Sequence, residues 1–247
     1  MTVLLPQIRP FSALTALALV AFAAAHAWAE DFSIAGRNLT VKVPGTYCAL
    51  DRENPAEKEM FEVMERVQAG LNRVLLVFYD CAELRAMHRG ELSTFGRYGQ
   101  VLTPIREQAY PGISRDMFFA ELRKVFDRAF AIGAERGRSN VERSVPDMQI
   151  GEARSLGILG TDPRALYAGM LEKVEFEGEV ATVAAVVSVT LLKDVPVSVN
   201  LYRTYEDETS FDLLLEEQRN YMERLTRLNE RLEGSAGPRG NPGEGDG

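Results

Sequence analysis

Histidine, tryptophan and cysteine are all scarce in this sequence. The 247 residues hold two His (His26 and His88), one Trp (Trp28) and two Cys (Cys48 and Cys81). Residues 1–29 read as a removable leader, as argued below, so a mature chain keeps His88 alone and no Trp. One histidine excludes an H-E-x-x-H zinc site and any other site that needs two. A Ser-His-Asp triad would have to use His88, which lies in Arg85-Ala-Met-His-Arg89, and no G-x-S-x-G elbow accompanies it. His88 is therefore read as a surface helical residue. No Walker A or G-x-G-x-x-G motif is present either. Positive charge is also short, with 28 Lys+Arg against 36 Asp+Glu. That balance offers no basic footprint for nucleic acid or for an anionic membrane surface. Downstream of residue 29, long apolar runs are missing. Val180 to Leu192 comes closest, and Lys193-Asp194 ends it.

The first 29 residues have the layout of a secretory signal peptide. Met1 to Pro10 is a short leading region whose one charge is Arg9, and Phe11 to Ala25 is an almost unbroken apolar run. Ala27-Trp28-Ala29 is an A-x-A cleavage pattern, so cleavage is expected between Ala29 and Glu30. The competing reading is an uncleaved anchor, but the run is short for a span. No Cys near the cut would carry a lipid. The mature 218 residues would hold 27 basic and 36 acidic side chains, with no membrane span after cleavage. The expected compartment is the bacterial periplasm, with secretion as the runner-up.

Two cysteines in an exported chain most simply form one disulfide. A redox-active pair usually has C-x-x-C spacing, which is absent here. Free thiols are the third possibility. The local pattern favours the bond between Cys48 and Cys81. Leu39 to Val43 alternates as a half-buried strand and stops at Pro44-Gly45. Asn54 as N-cap, Pro55 and Glu57 open a helix with Met60, Val63, Met64, Val67 and Leu71 on one face. Val74 to Phe78 is a continuous apolar run, the mark of a strand covered on both faces. If those two strands are parallel neighbours, both Cys lie just beyond their C-terminal ends.

Elsewhere, Phe32 to Val43 reads as a hairpin turning at Gly36-Arg37-Asn38. Ala82 to His88 is a short helix, and Phe95 to Leu102 is extended up to Thr103-Pro104. Ser114 caps a long helix with a stripe of Phe118, Leu122, Val125, Phe126, Ala129, Phe130 and Ile132. The charged stretch Glu135 to Arg143, with Gly137 inside it, reads as an exposed, protease-sensitive loop. Four strand candidates follow: 153–159, 166–176, 180–192 and 195–205. Short turns join the last three, which should form an antiparallel meander. Thr209 and Asp212 read as the capping box of a final helix. Its buried side carries Phe211, Leu214, Leu215, Gln218, Tyr221, Met222, Leu225 and Leu228. Residues 234–247 read as a disordered Gly/Pro-rich tail. The expectation is an α+β fold with an antiparallel-dominated sheet containing a meander and packed by helices. It forms one domain over 30–233, preceded by the signal peptide 1–29.

The order of elements resembles the PsbP-like α/β/α sandwich, a group that includes an extrinsic photosystem subunit and DcrB-like bacterial envelope proteins. Two stretches carry the resemblance. One is Val43-Pro44-Gly45-Thr46-Tyr47, and the other is Val195 to Tyr205 running into the last helix through Asn229. The resemblance spans about residues 32–232 and implies a noncatalytic binding or assembly role.

The candidate site is a rim beyond the buried strand. Ligands in open sheets favour the carboxyl ends of strands, and Asp80 follows Val74 to Phe78 directly. Asp80, Glu83, Arg85, Arg97 and Tyr98 form this candidate binding rim. The competing reading makes Asp80 the cap of the helix after Cys81. Lys42, Lys173 and Lys193 leave a Ser-Lys pair open, with nothing to select one of them. No catalytic residue, metal ligand or cofactor site is assigned. The functional expectation is an exported noncatalytic interaction or binding protein whose partner is an envelope protein or a small ligand. A periplasmic hydrolase using a carboxylate acid/base is the alternative, and a redox-responsive disulfide protein comes third.

Overall fold

The computed structural model describes residues 29–234 apart from 93, 146, 152 and 177, with backbone alone for 231–234. The expected leader, up to Trp28, and the tail beyond Gly234 lie outside the described residues. Ala29 and Glu30, the expected cleavage pair, open strand β1 (Ala29–Ile34), with Ala29 opposite Lys42.

β1 pairs with β2 (Arg37–Lys42) as an antiparallel hairpin. The turn is Ala35-Gly36, not Gly36-Arg37-Asn38. Both turn residues have positive φ (48° and 75°). A two-residue turn of this hand matches the twist of its strands, and glycine supplies the second position without strain. Ile34, Leu39 and Val41 leave water on the inner face of this hairpin.

The next segments correct the strand–helix–strand expectation. The strand that pairs with β4 (Asn72–Asp80) is not Leu39 to Val43 but the short β3 (Tyr47–Ala49), and the pairing is antiparallel. The chain reverses at Pro44, whose carbonyl accepts from the Tyr47 N–H at 3.0 Å. Cys48 thus lies inside an edge strand, opposite Tyr79. Cys81 is the first residue of α2 (Cys81–His88). The two still meet, with Cα atoms 5.0 Å apart, in a disulfide. Between β3 and β4 runs α1 (Pro55–Gln68), capped by Asn54 as the sequence predicts. Its covered side also includes Phe61 and, unexpectedly, Glu57. The Glu57 carboxylate does not close a capping box. It accepts from the Asp51 N–H at 2.6 Å and meets His88 Nε2 at 2.8 Å.

The main sheet has the order β3-β4-β5-β10-β9-β8-β6, with β7 also on β8. Its pairings are antiparallel, and the fold is α+β. β5 is Arg97–Pro104. The meander is β8 (Leu166–Phe176), β9 (Glu179–Leu192) and β10 (Val195–Thr204), close to the predicted bounds. The short β6 (Met148–Ile150) escapes the sequence pattern. β7 (Arg154–Thr161) is interrupted by two register shifts, with φ +76° at Gly157.

Helix α4 (Glu208–Gly234) and the hairpin cover one face of this sheet. The core there joins Leu75, Phe78, Val101, Val186, Val197, Val199 and Leu201 to Leu214, Tyr221, Met222 and Leu225 of α4. Leu75 and Leu76 share this face because the β4 register shifts between Val74 and Leu76. The cap of α4 is Asp207, not Thr209. One Asp207 oxygen accepts from the Thr209 N–H at 2.9 Å and the Ser210 N–H at 3.3 Å. Asn229 of α4 treats Thr40 as a strand neighbour would, accepting its N–H at 3.0 Å and donating to its carbonyl at 2.9 Å.

The other face carries α1, α2 and α3 (Arg115–Ser144). Leu50, Phe61, Val74, Val77, Tyr79, Leu84 and Leu102 form its core. Ser114 caps α3, as expected. Two expectations about α3 fail. The charged stretch 135–143 continues the helix instead of looping. Its Asn140 is buried and donates to the carbonyls of Val67 and Ala69 at the end of α1 (2.8 and 3.1 Å), and Val141 is buried beside it. This docking outweighs the cost of about 1 kcal/mol for a mid-helix glycine. The apolar stripe is also not covered along its length. Thirty residues span about 45 Å, while α3 meets mainly α1, β6 and β9. Val125 and Ile132 stay exposed, and Phe118, Leu122, Phe126 and Phe130 are half-buried.

The disulfide closes a separation of 33 residues at an edge strand only three residues long. Replacing Cys48 and Cys81 together by Ser is expected to lower unfolding free energy by about 3–4 kcal/mol. Denaturant titration with and without reductant tests this. Reductant should bring the native chain down to the double variant's curve and leave the variant unchanged. Coincident curves for the oxidised chain and the variant would refute the assignment.

Candidate functional site

The predicted rim splits in two. Three of its five residues converge where β4 ends and β5 begins. Asp80 ends β4 and caps α2. One carboxylate oxygen accepts from the Ala82 and Glu83 N–H groups (2.8 and 3.3 Å), and the other meets Arg97 Nη1 at 3.0 Å. Glu83 reaches back across the loop and accepts from the backbone N–H groups of Gly96 and Arg97 at 2.9 and 3.0 Å. Arg97 opens β5. Its Nη2 donates to Glu217 of α4 at 3.2 Å and to the Tyr47 hydroxyl at 3.4 Å, and its guanidinium lies 5.2 Å from the Tyr47 ring centre.

Arg85 and Tyr98 lie elsewhere. Arg85 is exposed on α2. Tyr98 follows Arg97 along the strand, so it points to the opposite face. There it belongs to a cross-strand aromatic row. Tyr79 pairs with Tyr98 and Tyr98 with Tyr202, with ring centres 5.6 and 4.5 Å apart. Phe95 extends the row beside Tyr79. Burial raises the Tyr98 phenol well above its ordinary range and raises that of Tyr202 too, so both stay protonated. The Tyr202 hydroxyl accepts from Gln100 and Asn200 at 2.9 and 3.3 Å.

Tyr47 and Glu217 are the members of the rim cluster that sequence reasoning misses. Glu217 is a half-buried polar position on a helix, and nothing local marks its partner, 120 residues away. Burial, and then the Glu217 carboxylate, push the Tyr47 phenol up. Burial works against the Arg97 charge, but Tyr47, Glu217 and Asp80 outweigh it and hold the guanidinium protonated. Both terminal nitrogens of Arg97 and both oxygens of Asp80 are thus engaged within the protein. The cluster is an ion-paired tie joining β3, β4, β5 and α4. Arg97 engages both the Asp80 and the Glu217 carboxylates.

Open concavities lie farther along the sheet. A groove of about 430 Å³ runs between the first turns of α4 and strands β7 and β8. Leu156, Leu171, Tyr205 and Phe211 line it, with Arg154, Glu208 and Asp212 among the charged residues. Phe211 sits directly over Gly169, where a Cβ would come within 2.5 Å of its ring. A second groove of about 240 Å³ opens under α3, between Phe130, Ala131 and Ala134 on one side and Gly151 and Ala153 of the β6–β7 connection with the strand residues Ser155 and Glu172 on the other. Burial pushes the Glu172 carboxyl up to about 7. Among the described residues, no three His, Cys, Asp or Glu side chains converge on a possible metal site, and no helix is long and apolar enough to cross a membrane.

Two outcomes follow. Arg97→Ala strands Asp80 and Glu217 beside each other, with side-chain exposures of 14% and 20%. The expected loss is about 2–3 kcal/mol in denaturant unfolding, since removing one partner of a buried pair costs more than the pair contributes. A loss within error would show that the tie is idle. Glu172 gives a pH effect of defined sign. Its carboxyl titrates near 4.5 when unfolded and about 7 when folded. The folded state is therefore least penalised below pH 4.5, loses stability as pH rises through 7, and has lost up to about 3 kcal/mol beyond that. Glu172→Gln should melt higher than the native chain at pH 8 and alike at pH 4. A gain independent of pH would contradict this. Set against known proteins, the chain matches no family model, and no curated protein is similar enough to count as a relative.

Proposed function

We propose that this chain is an exported, noncatalytic binding or interaction protein of the bacterial envelope, built on the PsbP-like sandwich plan. The groove at the head of α4 carries this reading. It combines an apolar floor (Leu156, Leu171, Tyr205 and Phe211) with a few charged side chains, as ligand-binding clefts do. Leu156 is 37% exposed, so the floor is open to a partner's apolar group. Arg154 stands across from Glu208 and Asp212 and offers charges of both signs to orient it.

Other features support the reading. A disulfide suits an oxidising compartment. Helices on both faces of an antiparallel sheet agree with the sandwich plan. The best placed carboxylate for the hydrolase alternative, Asp80, is already occupied by a helix cap and by Arg97.

Export predicts that cell fractionation places the protein in the periplasm with Glu30 at its N-terminus. Binding predicts that a photo-crosslinking residue at Leu156 yields a discrete adduct in cells. Phe211→Asp should abolish that adduct, and a crosslinker at the exposed Glu62 of α1 should give none. An Asp80→Asn variant should keep the adduct. Loss of a measurable hydrolytic turnover in that variant, with the adduct unrelated to it, would replace this reading by the hydrolase.

A further inference from the structure

The groove under α3 lies on the opposite face of the sheet from the groove at α4 and is independent of the function proposed above. Register fixes the row of sheet residues beside it. Tyr202, Ala185, Met170 and Ser155 lie side by side across β10, β9, β8 and β7. Glu172 stands two residues beyond Met170 on the same face of β8. α3 closes the groove from above with Phe130, Ala131 and Ala134.

Glu172 is the anomaly. It is a partly buried carboxylate with no hydrogen-bond donor or ion-pair partner among the described residues. Ionised, it presents acceptor sites and no donor, and a charge in such surroundings is costly unless it is paired. Among the described residues lining the groove, the cation Arg138 is ion-paired to Glu135 one turn back on α3. The other lining groups are apolar, apart from Ser155, whose oxygen accepts from the Gly157 N–H at 3.1 Å.

We infer that this groove is a binding site for a small organic cation, an alkylammonium group on a short aliphatic chain, with Glu172 as its counter-ion. Each part of that ligand answers a feature of the groove. The ammonium brings the donors and the charge that Glu172 lacks. The chain lies against Ala131, Ala134 and Ala153, and the Phe130 ring adds a face that attracts cations. A neutral apolar ligand would leave the carboxylate uncompensated, and an anion would be repelled. A bare metal ion needs several oxygen ligands, and of the two carboxylates lining the groove Glu135 is already ion-paired to Arg138.

Glu172 must be ionised to act, so affinity should follow its titration. The groups that face it are Glu135 and Arg138 from α3, Tyr98 from β5 and Tyr202 from β10. β9 contributes the neutral Val183, β7 the neutral Ser155, and Lys173 points to the other face. The phenols stay protonated, and Arg138 and Glu135 are paired to each other. Glu172 is therefore the group that changes charge near neutrality.

The test uses the purified protein and n-butylammonium chloride as probe, followed by amide chemical shifts at Ala134 and Ser155 at constant ionic strength. A saturable shift is expected at pH 8, weakened roughly tenfold or more at pH 5.5. Glu172→Gln should weaken it at least tenfold. Ala134→Trp fills the groove while keeping the Glu172 carboxylate in the sequence, and should abolish it. Neutral n-butanol should not saturate the site. Nα-acetyl-lysine methylamide separates two sources of the same chemistry. Tighter binding than butylammonium assigns a lysine side chain of a partner, and weaker binding assigns a free amine. The inference is overturned if neither amine gives a saturable shift at pH 8. It is equally overturned if both variants bind like the native chain, or if butanol or a divalent cation binds as well.

Discussion

The antiparallel pairing of β5 with β10 holds this molecule together. It zips residues 97–102 onto 198–203, about a hundred positions apart in the chain, and makes one sheet out of two. Without it, β3–β4–β5 would be a three-stranded fragment and β8–β9–β10 a separate meander. The seam is reinforced on both faces. On one, Gly99 lets Phe78 and Leu201 close over the strand, and any Cβ there would stand within about 2.5–2.7 Å of them. On the other, Tyr98 stacks on Tyr202. Arg97 starts the seam, and its tie to Asp80 and Glu217 fixes the strand's end against α2 and α4. So long a loop closure costs entropy before it gains contacts, which accounts for the density of packing there.

The same physics separates the tie from the grooves. At the Arg97 cluster the charges satisfy one another, and what results is rigidity. In the groove under α3 the sheet brings the Glu172 carboxylate among apolar side chains, without a partner among the described residues. A side chain in that position penalises the folded state as it ionises, and a ligand that completes it relieves the penalty. Unmet interaction potential, more than the mere presence of charged residues, therefore distinguishes a docking place from a structural joint. At the head of α4 the unmet potential is chiefly apolar, an open floor of Leu156, Leu171 and Phe211.

Local elements were legible from the sequence because local chemistry fixes them. Asn54 caps and Pro55 opens α1 by local chemistry, and the unbroken Val74 to Phe78 run demands cover on both faces. Turns at Lys193-Asp194 and at Gly178 separate strands of the length a meander needs. The errors arose where a distant neighbour decided. The stretch 135–143 stays helical because Asn140 finds the α1 carbonyls. Val125 and Ile132 stay exposed because α3 outruns its partners. The hairpin β1–β2 packs under α4 instead of joining β4, since Pro44-Gly45 reverses the chain and gives the place beside β4 to Tyr47–Ala49.

For the site, the sequence determined the inventory. It left one histidine beyond residue 29, supplied two cysteines and so a single possible pairing, and set an acidic balance of 36 Asp+Glu against 28 Lys+Arg. It also placed Asp80 at a strand end, which makes it a natural helix cap. Only the tertiary structure decided which charges are spent. Asp80, Glu83 and Arg97 come together with Tyr47 and Glu217, while Tyr98 turns away by the two-residue period of a strand. Glu172 looks like any strand glutamate until α3 covers it. The reason is physical. A side chain's type and period are local properties, but its solvation and its partners belong to whatever the folded chain lays beside it.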